Sequence, residues 1–237
     1  MSALAVALPV PILKADAVIE QTFTQAIQTV RPNFHMGLDL LLAIIPFLIS
    51  LFIFRKEGRL PSVVWWPLLA LMLLFLPNAP YILTDVIHFV AKVRVSPPLP
   101  IWAMSLLLLE YFLYFLIGME CFVVPMMLWE RLLRKQQRAH LIIPLEWLVI
   151  SLSAFGMYLG RVDRLNSWDV VTDPQHLLSQ ALRDALEPKP KELTLLFFFS
   201  VLVVFYLIKG INWLIVRLLK QDSPTLDPSG ASRTSPL

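Results

Sequence analysis

Two short segments of the chain carry polar residues whose types and spacing could do chemistry. The first reads FLPNAPYILTDVIHF over residues 75–89 and contributes Asn78, Asp85 and His88. The second reads LGRVDRLNSWDV over residues 159–170 and contributes Arg161, Asp163, Arg164, Asn166 and Asp169. An aspartate and a histidine three residues apart share a helix face, where they could form an acid–base pair or supply two metal ligands. Paired arginines offer forked donors that suit carboxylate or phosphate.

Prolines in the first segment predict its local geometry. Leu76 and Ala79 each precede a proline, so we expect both to be extended or turn-like. Asn78 lies between them and can bond stray backbone groups through its side-chain amide. Thr84 or Asp85 could then cap a short new helix.

The second segment has two interpretations. A continuing helix would place Arg161, Arg164 and Trp168 on one side and Asp163 and Asn166 on another. The run Asn-Ser-Trp-Asp at residues 166–169 favours a turn instead.

The composition indicates where these segments lie. Hydrophobic residues make up 57% of the 237 residues and charged residues 16%, with a mean hydropathy of +0.70. Soluble domains are nearer one quarter charged, so a soluble enzyme, a nucleic-acid-binding protein and a disordered chain are all excluded. The single cysteine, Cys121, excludes an internal disulfide and a cysteine-based metal cluster. The sequence predicts a multi-pass membrane protein.

Five segments are long and apolar enough to cross a bilayer, which needs about twenty residues. They run from about Phe34 to Phe54, Val63 to Ile82, Ile101 to Trp129, Leu141 to Gly160 and Leu193 to Val216. We therefore predict an all-α integral membrane bundle of five transmembrane helices with two interfacial amphipathic helices. One amphipathic helix lies within an extracytoplasmic segment, 1–33, and the other follows the capping pair Asp173-Pro174. Residues 34–216 form the membrane domain, and 217–237 form a disordered cytoplasmic tail.

Basic residues in the short loops predict the orientation. Nine of them share one side of a five-span chain: Arg55, Lys56, Arg59, Arg131, Arg134, Lys135, Arg138, Arg217 and Lys220. That side is expected to be cytoplasmic, with the N-terminus outside and the C-terminus inside. Both polar segments then emerge at the extracytoplasmic boundary. The expected location is a bacterial cytoplasmic (inner) membrane or a related energy-transducing membrane.

Three glutamates lie inside the predicted spans: Glu110, Glu120 and Glu146. Ionisable residues within a bilayer raise a functional hypothesis because burying them is costly. Glu120 and Glu146 fall nearer the cytoplasmic side, as does Lys209, which either contacts a glutamate or extends to the interface. Glu110 lies near mid-membrane with no cation at its depth, so it is either protonated and hydrogen-bonded or part of a proton relay.

The two polar segments also resemble a known family. FLPNAPYILTDVIHF and LGRVDRLNSWDV are similar to the marks of the bacterial multi-pass family catalogued as domain of unknown function 1361. The similarity extends from about the first span to the fifth and leaves out the N-terminal helix and the tail. It implies an integral membrane protein of several spans, and it implies no activity, cofactor or catalytic residue.

Three functions are compatible with these residues. We favour a non-enzymatic accessory, scaffold or assembly component, in which the arginines pair with Asp85, Asp163 or Asp169. The alternatives are an intramembrane enzyme or binding protein for a lipid-linked, phosphate-bearing substrate, and a small proton-coupled carrier that uses Glu110. The expected partners are the lipid bilayer and, further, an anionic lipid headgroup or a membrane protein complex. We expect no nucleic acid, no cofactor and no metal.

Overall fold

The computed structural model describes residues 20–21, 23–24, 34–55, 62–95, 99–165 and 167–221, and within these ranges the chain is helical with no strand. Its α-helices are α1 (Phe34–Arg55), α2 (Ser62–Phe75), α3 (Asn78–Tyr81), α4 (Val86–Val95), α5 (Ile101–Lys135), α6 (Ile142–Arg161), α7 (Asp169–Thr172), α8 (Pro174–Leu186) and α9 (Pro188–Gln221). Two 3₁₀ turns, Ile82–Asp85 and Ala139–Leu141, precede α4 and α6.

The prediction of five membrane helices is confirmed. Among the described residues, five helices are long and apolar enough to cross a bilayer: His35–Phe54, Val63–Arg94, Ile101–Lys135, Ala139–Arg161 and Pro190–Gln221. The sequence indicated that the second span ends at Ile82, but the helix continues to Arg94. Its prolines interrupt the helix less than expected.

The backbone around these prolines explains the longer second span. Leu76 lies in a turn, as expected, but Ala79 is helical, so the expectation of an extended residue there is wrong. Pro80 occupies the third position of α3, in the first turn. Backbone N–H groups in a first turn make no hydrogen bond within the helix, so the N–H that proline lacks is not needed there. Thr84 and Asp85 belong to a 3₁₀ turn that leads into α4.

Helix α5 is the central element of the bundle. It contacts α1, α3, α6 and α9, and its buried residues include Leu107, Tyr111, Phe122 and Val123. Thirty-five residues make a helix about 52 Å long, whereas the hydrocarbon core is about 30 Å thick. Helix α5 must therefore tilt or extend beyond the hydrocarbon core.

Glycines allow residues 77–82 to lie close to α5 and α6. A Cβ atom at Gly118 on α5 would lie 2.6 Å from Cδ1 of Ile82, a side chain with no exposed surface. A Cβ atom at Gly160 on α6 would lie 3.2 Å from Cε2 of Tyr81. The first polar segment is thereby held against the bundle core.

Of the two predicted interfacial helices, the structure describes the second in full and only a few residues of the first. Most of the predicted N-terminal helix and the 222–237 part of the tail lie outside the described residues. The second predicted helix is α8, and its N-cap is confirmed: the Asp173 side chain accepts a 3.1 Å hydrogen bond from the His176 N–H. Leu178 and Leu182 on α8 are 60% and 58% exposed, a face suited to the membrane interface.

Substituting Gly118 should reveal how tightly this segment is packed. We expect Gly118→Ala to lower stability by about 1–3 kcal/mol, the usual cost of overpacking a core. Gly37→Ala is the matched control, because a Cβ there would meet nothing within 4 Å. The measurement is thermal unfolding of both purified variants in the same detergent. Equal midpoints would contradict the close approach, and Ile82→Val should restore part of the loss.

Candidate functional site

Arg161 brings the two polar segments together. It lies on the last turn of α6, and its Nη2 donates a 2.6 Å hydrogen bond to Oδ1 of Asp85. Its Nε also donates to Oγ1 of Thr84 at 2.9 Å. Because Thr84 and Asp85 share one 3₁₀ turn, a single guanidinium binds both side chains. We call the set Tyr81, Thr84, Asp85, His88, Tyr114 and Arg161 the arginine cluster.

Asp85 is buried and accepts hydrogen bonds from two helices. The residue is 3% exposed, and its second oxygen, Oδ2, accepts a 2.6 Å hydrogen bond from the Tyr114 hydroxyl on α5. A buried carboxylate is tolerated when it is paired with an opposite charge and hydrogen-bonded. Arg161 provides the opposite charge, and Tyr114 donates the further hydrogen bond. The aspartate therefore connects α5 to α6.

Two further residues surround the guanidinium. The Arg161 Cζ lies 4.7 Å from the centroid of the Tyr81 ring, a cation–π arrangement. His88 lies at the exposed edge of the cluster: its Nε2 is 3.4 Å from Arg161 Nη1 and 3.8 Å from Asp85 Oδ1. The predicted shared face of Asp85 and His88 is confirmed.

Asp39 on α1 adds a second carboxyl group next to the arginine cluster. It interacts electrostatically with Asp85 and Arg161. Asp39 also lines a cavity of about 280 Å³ together with Asn78 and Tyr81. Asp39 lies within the first predicted span and is ionisable, as the three glutamates are, but it was not among the predicted site residues.

From the sequence, Asp85 is the expected partner of Arg164, but in the structure Asp85 pairs with Arg161 instead. Helix α6 ends at Arg161, and Arg164 lies beyond it with a left-handed φ of 58° and an exposed side chain. The helix does not continue, so the chain turns here as the sequence favoured, and the shared side that a continuing helix would give Arg161, Arg164 and Trp168 does not form.

Asn78 makes a second connection between the two segments. Its Nδ2 donates to the carbonyl oxygen of Phe75 at 2.9 Å, as predicted for stray backbone groups, and to Oγ of Ser167 at 3.0 Å. Asp169 accepts a 3.1 Å hydrogen bond from Thr172 within α7 and is not part of the arginine cluster. Asn166 lies outside the described residues.

Asp163 belongs to a different group of side chains. It lies beside Asp184 and Gln180 of α8, and Asp184 is only 4% exposed. Burial, together with the neighbouring Asp184 carboxyl, raises the pKa of Asp163 from 3.8 to about 6. The two carboxyl groups therefore lie together where α8 approaches the end of α6, and they repel each other when both are charged.

A second polar set lies about 22 Å along α6 from Arg161 and contains Glu146, one of the three intramembrane glutamates. The Glu146 carboxylate accepts hydrogen bonds from Lys209 and, at 3.1 Å, from the Tyr206 hydroxyl, while Lys209 also pairs with Glu130 at 2.7 Å. We call Glu130, Glu146, Tyr206 and Lys209 the lysine cluster. The Glu–Lys contact that the sequence offered as one alternative is confirmed.

The other two glutamates differ in their surroundings. Glu120 accepts a 2.8 Å hydrogen bond from Asn212. For Glu110, the expectation of no cation at its depth is wrong, because Lys92 on α4 lies within electrostatic range. Neither carboxyl oxygen of Glu110 has a hydrogen-bond partner among the described residues.

The position of α4 explains the error over Lys92. Because the second span was predicted to end at Ile82, Lys92 was expected to lie outside it, whereas the helix continues through Lys92 to Arg94. Phe89 on α4 packs against Tyr111 with ring centroids 5.1 Å apart, so α4 lies alongside the start of α5. Glu110 is one helical turn from Tyr114 toward Ile101, at about the level of the arginine cluster.

Sequence reasoning missed several members of the site. Tyr114 and Tyr81 were not among the predicted site residues, and Thr84 was considered only as a cap. Nothing in their spacing to Arg161 indicates contact, because 47 or more residues separate each of them from it. Within the described part of the chain, no group of three His, Cys, Asp or Glu side chains could hold a metal ion.

The described residues form helices, five of them long and apolar enough to cross a bilayer, and this defines an α-helical, multi-pass membrane protein. Residues 38–206 match the family model described as "Protein of unknown function (DUF1361)", and the chain belongs to that family. The match contains both polar segments and confirms the resemblance they suggested. No curated protein and no solved structure matches the chain.

Removing Arg161 should destabilise the protein much more than removing Arg164. Breaking a buried ion pair costs about 3–5 kcal/mol, so Arg161→Ala should lower the free energy of unfolding by about that amount. Arg164→Ala is the matched control, because an exposed arginine contributes at most about 1 kcal/mol. Asp85→Ala combined with Arg161→Ala should cost little more than either change alone. Additive losses in this double-mutant cycle would show that the two residues are uncoupled.

The attachment of α8 should strengthen as the pH falls. Below about pH 6, Asp163 binds a proton in the folded state, whereas with the usual pKa of 3.8 it stays charged when α8 detaches. Repulsion from Asp184 therefore decreases between pH 6 and pH 4. Hydrogen exchange of α8 amides, corrected for intrinsic rates, should show greater protection at pH 5 than at pH 7. Asp163→Asn should remove this difference, and Asp169→Asn should leave it; protection that falls with pH would refute the mechanism.

Proposed function

We propose that this protein is a non-enzymatic accessory, scaffold or assembly component of a bacterial cytoplasmic membrane or a related energy-transducing membrane. Its N-terminus lies outside, and the arginine cluster stabilises the extracytoplasmic end of the bundle. One observation carries the proposal: both carboxylate oxygens of Asp85 accept hydrogen bonds from the chain itself, from Arg161 and Tyr114.

The burial of these groups supports a structural role over a chemical one. A general base or a substrate-binding arginine needs an open position toward the reacting group. The Asp85 side chain is 4% exposed and the Arg161 side chain 21% exposed, and the guanidinium already binds Thr84 and Asp85. His88 is the exposed member of the cluster, with 54% of its side chain accessible.

The alternative is an enzyme or binding protein for a lipid-linked, phosphate-bearing substrate. The cavity beside Tyr81 favours this alternative, because it lies next to the arginine cluster and has Asn78 and Ser167 in its wall. However, Asp39 is the one charged residue among the described residues that line it, and its carboxylate would repel phosphate. A volume of about 280 Å³ is also small for a lipid headgroup with its chain.

The third function, a proton-coupled carrier, depends on Glu110. A relay would have to extend from Glu110 along α5, and the next acid on that helix, Glu120, is about 15 Å away. Glu120 is hydrogen-bonded to Asn212 near the lysine cluster. The carrier is therefore the weakest of the three proposals.

Comparing His88→Ala with Asp85→Ala tests the scaffold proposal. If the arginine cluster is structural, His88→Ala should change stability by no more than about 0.5 kcal/mol, as exposed substitutions usually do. It should also leave unchanged the lipids and proteins that co-purify with the chain in mild detergent. Asp85→Ala should lower both the unfolding temperature and the recovery of partners. Thermal unfolding and mass spectrometry of the purified samples provide the two measurements.

One result would contradict the scaffold proposal. If His88→Ala left the fold intact but removed a co-purifying phosphate-bearing lipid, the cluster would be a ligand site. That outcome would favour the enzyme or binding protein.

A further inference from the structure

A wide groove opens between α5 and α9 beside the lysine cluster. Its volume is about 1160 Å³, about four times that of the cavity near Asp39. Glu120, Tyr206 and Asn212 lie along its length, and the C-terminal ends of both helices form its rim. The groove lies on the side of the bundle that carries the basic loop after α5.

Positive charge predominates in this groove. Its lining contains the cations Arg131, Arg134, Lys135, Lys209 and Lys220 and the carboxylates Glu120 and Glu130. Both carboxylates already accept hydrogen bonds within the chain, Glu130 from Arg134 at 2.7 Å and Glu120 from Asn212. Arg131 and Lys220 are exposed at the rim and leave an excess of positive charge there.

Apolar side chains form the rest of the wall. They are Val124, Met127, Leu128, Ile215 and Val216. Trp213 also lines the groove and is 57% exposed, with the Arg217 guanidinium 5.2 Å from its ring centroid. Tryptophan beside basic residues is typical of the level at which lipid headgroups lie.

We propose that this groove binds one anionic phospholipid from the surrounding bilayer. The phosphate lies between Arg131 and Lys220, and an acyl chain follows the apolar wall between α5 and α9. Charge complementarity selects the headgroup, because basic residues at a membrane surface attract anionic lipid. The apolar wall selects a lipid over a soluble phosphate. This inference is independent of the proposed scaffold function.

The groove suits a phospholipid better than the arginine cluster does. Arg161 is neutralised by Asp85 and has Asp39 nearby, so an anion gains little there. The cations at the groove rim, Arg131 and Lys220, are exposed on the surface, so lipids from the bilayer can reach them.

Native mass spectrometry of the full chain tests the charge requirement. The protein is released from detergent that contains equal amounts of phosphatidylglycerol and phosphatidylcholine with the same acyl chains. We expect retained phosphatidylglycerol to exceed phosphatidylcholine. Arg131→Gln with Lys220→Gln should lower that ratio by about 10- to 25-fold, since each basic residue contributes roughly a fivefold preference. Arg94→Gln with Arg183→Gln is the control, because it removes the same charge from exposed residues outside the groove.

A second variant tests the position of the lipid without changing charge. Gly210 lines the groove, and a Cβ atom there would meet nothing within 4 Å, so Gly210→Leu should fill the groove without a clash. We expect it to lower lipid retention while the unfolding temperature stays the same or rises. Gly37→Leu is its control, since Gly37 also has open space around it and lies on α1 outside the groove.

Three outcomes would overturn the inference. Equal retention of the two lipids would exclude selection by charge, and an unchanged ratio in the Arg131–Lys220 double variant would place the lipid elsewhere. Displacement of phosphatidylglycerol by millimolar glycerol phosphate would mean that the headgroup alone binds and that the apolar wall is unused. A normal unfolding temperature in each variant separates these outcomes from misfolding.

Discussion

The buried ion pair between Asp85 and Arg161 is the interaction on which the rest of the structure depends. A lone carboxylate or guanidinium away from water is very costly, so each group has to meet an opposite charge with good geometry. Arg161 is the last residue of α6, and Asp85 ends a 3₁₀ turn. These two ends must therefore meet, which requires residues 77–82 to lie close against α5 and α6. The glycines at the contact make that approach sterically possible.

Polar side chains connect α5 and α6 at two levels. At one level the connection runs from Tyr114 through Asp85 to Arg161, and at the other from Glu130 through Lys209 to Glu146. Between these levels, Phe122 and Phe205 are fully buried and pack against each other. Apolar packing inside a bilayer gains little from the hydrophobic effect, so polar contacts and close packing carry much of the specificity. The two charged clusters thus fix the register of α6 against its neighbours.

The fold was largely predictable and the site was only partly so. Long apolar runs identified all five spans, and Asp173-Pro174 identified the start of α8, because both signals are local. The partner of Asp85 was not predictable, because the turn signal Asn-Ser-Trp-Asp comes after both Arg161 and Arg164, whereas α6 already ends at Arg161. Lys92 was misplaced for a related reason: Pro80 falls in the first turn of α3, where proline is compatible with a helix. Contacts such as Tyr114 with Asp85 depend on helix packing, which one sequence does not specify.

The charged side chains of this protein are of two kinds: buried groups that are paired within the chain, and exposed groups at the surface. The Asp85 and Glu146 side chains are each 4% exposed, so water cannot readily replace a lost partner and both stay paired while the protein is folded. The cations at the groove rim are exposed, and their interactions exchange with ions and lipid headgroups at little cost. Permanent pairs determine the structure, and exchangeable charges are available for recognition. Recognition by this protein is therefore to be sought at its exposed cations, where a new partner displaces only water and ions.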